Sequence, residues 1–164
     1  AHIADIYEPI VTDHGHHLEL AITSQKVRPV KGDRELLMEM IVNFVENAIQ
    51  YCPSGTTIRL SLRYQRTGLD VIVSDNGPGV PEAEIHRLFE RFYRLEGSRE
   101  KSGHGLGIPF ADAIATLHGA HIEMRDNNPG LCVVIHFPND PINRSQLGLR
   151  LRSGYSITPR LTKP

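Results

Sequence analysis

Four short stretches of this chain carry residues whose types and spacing suit ligand chemistry. "SDNGPGVP", residues 74–81, puts Asp75 at the end of a strand-like run and follows it with two glycines and two prolines. Such residues build surface turns. They also build binding loops, in which the strand fixes the carboxylate and the glycines let a ligand approach the backbone. Asn43 and Asn47 stand four residues apart, the spacing that places two side chains on one face of a helix, and Tyr51 continues that face. An apolar helix has no packing need for two amides on one side, so they either serve a ligand or meet solvent and nearby backbone. "SGHGLGIPF", residues 102–110, is rich in glycine and runs into helix-like sequence. Amides at such an opening, with the helix dipole, hold a phosphate without any charged side chain. "FERFYR", residues 89–94, groups Phe89, Phe92 and Tyr93 with Arg91 and Arg94, as the lid of a core or the rim of a site.

The common phosphate motifs are missing. The chain has no G-x-x-x-x-G-K-[ST], and Gly103, Gly105 and Gly107 do not fit G-x-G-x-x-G. The residues before them form a charged stretch where a dinucleotide fold needs its first strand. Nine histidines include "HGHH" at 14–17, but no carboxylate or cysteine stands at a usual ligand spacing, which favours a solvated loop over a metal site. Cys52 and Cys132 match no metal or redox spacing and are expected to be buried free thiols in a reducing compartment.

Holding these groups in place needs a folded domain, and 164 residues with 40% apolar and 23% charged content suffice for one. A net charge of −1 gives no overall field to attract nucleic acid or anionic membrane. No apolar run approaches the ~20 residues that span a bilayer. The start, without Met or a signal pattern, reads as a piece of a longer protein.

Local patterns give an element order. Residues 18–22 read as a strand and 27–30 as an extended piece. Residues 33–51 form the clearest helix, capped by Asp33, with Leu36, Leu37, Met40, Ile41, Phe44, Val45 and Ala48 as its apolar stripe. "TIRLSLRYQ" and "LDVIVSD" alternate as an antiparallel hairpin joined at "RTG". A short helix is expected at 81–90, a loop to 104, and a second long helix at 105–118 that tolerates Pro109 only in its first turn. "AHIEMRD" and "LCVVIHFP" make a second hairpin. This order predicts an α+β fold, a two-layer sandwich whose mixed, mostly antiparallel sheet is covered on one face by helices. Residues 141–164 hold five basic residues and no acid, and 139–164 read as a basic, flexible tail.

In combination and in this order, the four stretches resemble the catalytic ATP-binding domain of two-component sensor histidine kinases. That domain has the Bergerat fold, shared with gyrase-type topoisomerases, heat-shock chaperones and mismatch-repair ATPases. "NFVENAIQY" corresponds to the N box, "DNGPGVP" to the G1 box, "FERFYR" to the F box and "GHGLGI" to the G2 box, and "PGLCVVIHFP" to a degenerate last glycine box. The resemblance covers about residues 18–138 and implies ATP and Mg²⁺ as cofactors.

It implies roles as well. Asp75 would accept from the adenine amino group, Gly77, Gly79 and Val80 would close under the base, and Tyr51 would stack on it. Asn47, supported by Asn43, would ligate Mg²⁺, and Gly103, His104, Gly105, Leu106 and Gly107 would cradle the phosphates. Phe92, Arg94, Lys101 and the stretch 95–102 would belong to a mobile lid. Gln50 departs from the Lys or Arg common in the family and would remove a phosphate contact, for which Arg94 or Lys101 would be the candidate substitutes.

No histidine here is followed by Glu or Asp, so the family's phosphoacceptor motif is absent from this chain. The implied partners are a helical dimerisation and phosphotransfer domain, to which residues 1–17 would be the linker, and a response regulator. The fragment is expected to be monomeric and cytoplasmic, and its parent a homodimeric inner-membrane receptor. Two other readings share these boxes: a serine kinase of the anti-sigma-factor type, which usually lacks the F box, and a non-enzymatic ATP-sensing module.

Overall fold

The computed structural model describes residues 2–22, 29–95 and 104–139. Helix α1 (His2–Asp13) leads into strand β1 (His17–Ile22), helix α2 (Arg34–Tyr51) and strands β2 (Thr57–Tyr64) and β3 (Gly68–Asp75). After these come α3 (Glu82–Ile85), a 3-10 turn at His86–Phe89, α4 (Gly107–Leu117), β4 (His121–Asp126) and β5 (Leu131–Pro138). The sheet runs β1-β2-β3-β5-β4, with β1 parallel to β2 and every other pair antiparallel. This is the mixed, mostly antiparallel α+β sandwich expected.

Strand alternation sorts the two faces. Leu69, Val71 and Val73 of β3 and Val133, Ile135 and Phe137 of β5 point into the core with Met40, Phe44 and Val45 of α2 and Ile114 of α4. Each such side chain, fully buried, contributes ~1.5–3 kcal/mol. Asp75 continues the Leu69, Val71, Val73 series, so the same alternation turns it to the helix side of the sheet. The core thus hands its last strand position to a carboxylate.

Caps set the helices. Asp33 accepts at the start of α2 from Glu35 N (2.9 Å) and Leu36 N (3.1 Å). Its own N–H donates to His118 Nε2 at 3.0 Å, tying α2 to the end of α4. Pro109 lies in the first turn of α4, where no intrahelical donor is lost. The helix expected at 81–90 is instead a four-residue α turn continued as a 3-10 turn, with no side-chain cap at Pro81.

Three expectations change. Residues 2–13 are a helix packed on the domain: Ala4 and Val11 are buried, and the Tyr7 hydroxyl donates to Glu46 Oε1 of α2 at 3.0 Å. Burial and that carboxylate push the Tyr7 hydroxyl up to about 12. His16 does not belong to a solvated loop; it is buried, with Nε2 3.2 Å from Ile49 O. Both cysteines are free, but only Cys132 is fully buried; Cys52 is half-buried. Residues 29–30 of the expected extended piece lie outside any element; its first two residues, the stretch 96–102 and the tail from 140 lie outside the described residues.

The uncovered face of the sheet is polar, and Asp70 sits at its centre, only 2% exposed. It accepts from His136 Nδ1 (2.6 Å), Arg63 Nη2 (2.9 Å) and Gln65 Nε2. Burial alone would raise its carboxyl, but the bonds from His136, Arg63 and Gln65 hold it below the ordinary value. A depressed folded value stabilises the fold above the unfolded carboxylate range, and the contribution is lost as pH falls through the folded value. Asp70→Asn is therefore expected to cost on the order of 1–3 kcal/mol at neutral pH. It should also flatten the loss of stability below about pH 4, as denaturant melts at several pH values would measure.

Candidate functional site

A cavity of about 1080 Å³ opens between α2, the end of β3, the α3 region and the start of α4. That is large enough for a nucleoside triphosphate. Helix α2 supplies Phe44, Asn47, Ala48 and Tyr51, the i, i+3, i+4, i+7 series of one face, with Gln50 beside them. From the sheet come Val73, Asp75, Leu131 and Val133, and from the loop after β3 come Pro78, Gly79 and Val80.

Asp75 is 8% exposed and held on one side only. Its Oδ1 accepts from Gly77 N at 2.9 Å and Leu131 N at 3.3 Å. Among the described residues no donor reaches Oδ2, which leaves one carboxylate oxygen for a ligand. The wall around it is apolar (Phe44, Val73, Val133), where a single hydrogen bond discriminates strongly.

Opposite lies the start of α4. Its N-cap residue Leu106 makes no side-chain cap, so the first-turn amides are not satisfied by a side chain. Gly105 has φ +64, and a Cβ there would come within 2.7 Å of Tyr93 O. Phe92 N donates to Gly105 O at 2.9 Å, which ties the F-box segment to this turn. Cations come from Arg87 and Arg94. Arg87 lies 4.2 Å above the Tyr93 ring and 3.3 Å from Glu84, whose carboxylate also accepts from the Tyr93 hydroxyl.

The cavity brings together Asn47, Gln50, Tyr51, Asp75, Gly79, Val80, Arg94, His104, Gly105, Leu106 and Gly107 from the expected set. Three others lie elsewhere. Asn43 packs behind the wall, where its amide fills the space that a Cβ on Gly107 would need. Gly77 leaves room for Cys52 Sγ under the loop. Phe92 is 71% exposed, with φ +64, so its backbone turns the ring out to solvent and the neighbouring Tyr93 turns in. Lys101 and Gly103 lie outside the described residues.

Residues 32–141 match the family described as "Histidine kinase-, DNA gyrase B-, and HSP90-like ATPase". The chain belongs to this family. It is 37% identical over 114 residues to the adaptive-response sensory kinase SasA of Rippkaea orientalis (strain PCC 8801 / RF-1), covering 69% of this chain and 29% of that one. This chain thus spans less than a third of that relative's length. Among solved structures, the catalytic domain of the histidine kinase ThkA superposes with TM-score 0.73 at 21% identity, over 85% of this chain and 91% of that one. The mycobacterial sensor histidine kinase MprB superposes with TM-score 0.69 at 26% identity, over 85% and 93%. ThkA has also been solved in complex with a response regulator protein, TrrA.

Membership makes this an ATP-binding domain of the kind that sensor histidine kinases carry. As a member of this ATPase family it also shows wall residues that its sequence did not flag. Glu84 and Arg87 fall in the short helix expected at 81–90, and Leu131 and Val133 in the second expected hairpin. Only the "FERFYR" cluster hinted at Tyr93. For Glu84 and Arg87 no local signal stood out, because a four-residue α turn followed by a 3-10 turn shows no sustained periodicity.

Proposed function

We propose that this chain is the ATP-binding catalytic part of a sensor histidine kinase and that the cavity is its nucleotide site. The observation that supports this most is Asp75, buried at the end of β3 with one oxygen anchored by two backbone amides and the other open to the cavity. That oxygen accepts from an exocyclic amino group, as adenine offers and guanine does not at the same edge. Tyr51 flanks the base, and the first-turn amides of α4 with Arg94 meet the phosphates.

Asn47 offers a neutral oxygen on the cavity wall, which fits Mg²⁺ held jointly by protein, water and phosphate. When bound, that ion neutralises charge on the transferring phosphates. Asn43 supports α4 rather than the metal. The transfer breaks the bond between the γ-phosphorus of ATP and its bridging oxygen and forms a phosphorus–nitrogen bond to a histidine of a separate helical dimerisation domain. The histidine proton passes to an acidic neighbour on that domain and ADP leaves; an aspartate of a response regulator then takes the phosphoryl group. This chain contributes position and electrostatics. The parent is read as a membrane-anchored homodimer; among the described residues no helix is long and apolar enough to cross a membrane.

Incubation of this chain with Mg²⁺-ATP and a separately produced histidine-bearing dimerisation domain is expected to yield acid-labile phosphohistidine on that domain. ATP binding without transfer to any such domain would favour the non-enzymatic sensing module.

A further inference from the structure

The β4–β5 turn, residues 127–130, lies behind Asp75 and lines no part of the cavity, yet together with Leu131, the first residue of β5, it holds Asp75 at three points. Asn127 Nδ2 donates to the Asp75 main-chain O at 2.8 Å. Leu131 N donates to Asp75 Oδ1 at 3.3 Å. Gly130 presses flat on the Asp75 carbonyl, and even the Asp75 carboxylate would lie 2.9 Å from a Cβ placed there. The turn is itself closed by Asn127 N donating to Gly130 O at 2.9 Å and by Asn128 N donating to Asp126 Oδ1 at 3.1 Å. Gly130 O in turn sits 2.9 Å from where a Cβ on Gly79 would be, so the same carbonyl supports the loop under the base site.

The geometry points to Asn127 as a positioning residue for base selection: its amide fixes the Asp75 backbone, and that fixes which carboxylate oxygen faces the nucleotide. This rests on the reading of Asp75 as the acceptor for the adenine amino group. The peptide carbonyl of Asp75 lies at a strand end, beyond the last β3–β5 register pair, Ser74 with Cys132. Without Asn127 that carbonyl has no partner on the β5 side; Asp75 stays paired with Ile58 of β2, and toward β5 only the longer Leu131 N to Oδ1 bond holds it. The carboxylate would then lose its aim while the cavity, α2 and α4 stayed as they are.

Purine riboside triphosphate, which lacks the exocyclic amino group, separates aim from fold. Asn127→Asp keeps the side-chain shape and the Asn127 N to Gly130 O bond, but sets an acceptor against the Asp75 carbonyl. Asn127→Ala removes the donor alone. Calorimetry on both is expected to show ATP binding weakened by about threefold to tenfold, with binding of purine riboside triphosphate unchanged. The preference of the wild type for ATP over the analogue would shrink by the same factor. Equal weakening for both nucleotides, or an unchanged preference, would overturn the role of Asn127 and leave that of Asp75 standing. A wild type that binds the two nucleotides equally would overturn the Asp75 reading and this one with it.

Discussion

Gly130→Ala is expected to weaken ATP binding by about tenfold or more and to lower the thermal midpoint by roughly 5–15 °C. Two costs add at this position. Gly130 has φ +105, where an L side chain is strained by on the order of 1–3 kcal/mol. In addition the new methyl group would run into the Asp75 carbonyl, which is backbone and cannot swing aside as a side-chain tip does. Relief comes only by moving β5 away from Asp75 or by turning Asp75 itself, and either breaks the Leu131 N to Asp75 Oδ1 bond.

Gly55 supplies the control. It has φ +89, but a Cβ there meets nothing within 4 Å. Gly55→Ala should therefore lose stability through strain while keeping its ATP affinity. If Gly130→Ala binds ATP as the wild type does, the close approach of β5 to Asp75 has no part in the site.

The parts of this molecule that were legible in its sequence are those set by local rules. The apolar stripe of α2, the Asp33 cap and the two hairpins follow from periodicity and turn chemistry, and all are present. The position of Asp75 at a strand end was legible from the alternating run and the "NGPG" turn that follows it, although that pattern alone equally describes a surface turn. Asn47 and Tyr51, four residues apart, both line the cavity, whereas Asn43 on the same side of the helix does not. A helical face is wider than the cavity it borders, and Asn43 falls on the part that meets α4.

What was hidden depends on residues far apart in the chain. Asn127 and Asp75 are 52 positions apart, and nothing in "DNNPGL" alone says that its first amide reaches a strand end. The outward turn of Phe92 was hidden because it goes with a φ of +64, which aromatic composition does not report. Helix α1 was hidden by Pro9 inside it; its apolar positions Ala4, Tyr7 and Val11 become readable only against β1 and α2.

If the open oxygen of Asp75 reads adenine, Asp75→Asn tests that role with little change in shape. The amide should keep its oxygen toward Gly77 N and Leu131 N, because two donors meet there. Its NH₂ then faces the adenine amino group, donor against donor. Losing a charge-assisted bond and leaving two donors opposed costs roughly 3 kcal/mol, about a hundredfold in affinity. Guanine carries an oxygen at that edge, so the variant should lose less for GTP than for ATP, or gain. The measurement is calorimetric titration of ATP and GTP with Mg²⁺ into the wild type and Asp75→Asn. ATP is expected to bind far tighter than GTP in the wild type, with that preference collapsed in the variant and the fold unchanged by circular dichroism. Equal ATP affinity in the two proteins, or a wild type indifferent between ATP and GTP, would contradict it.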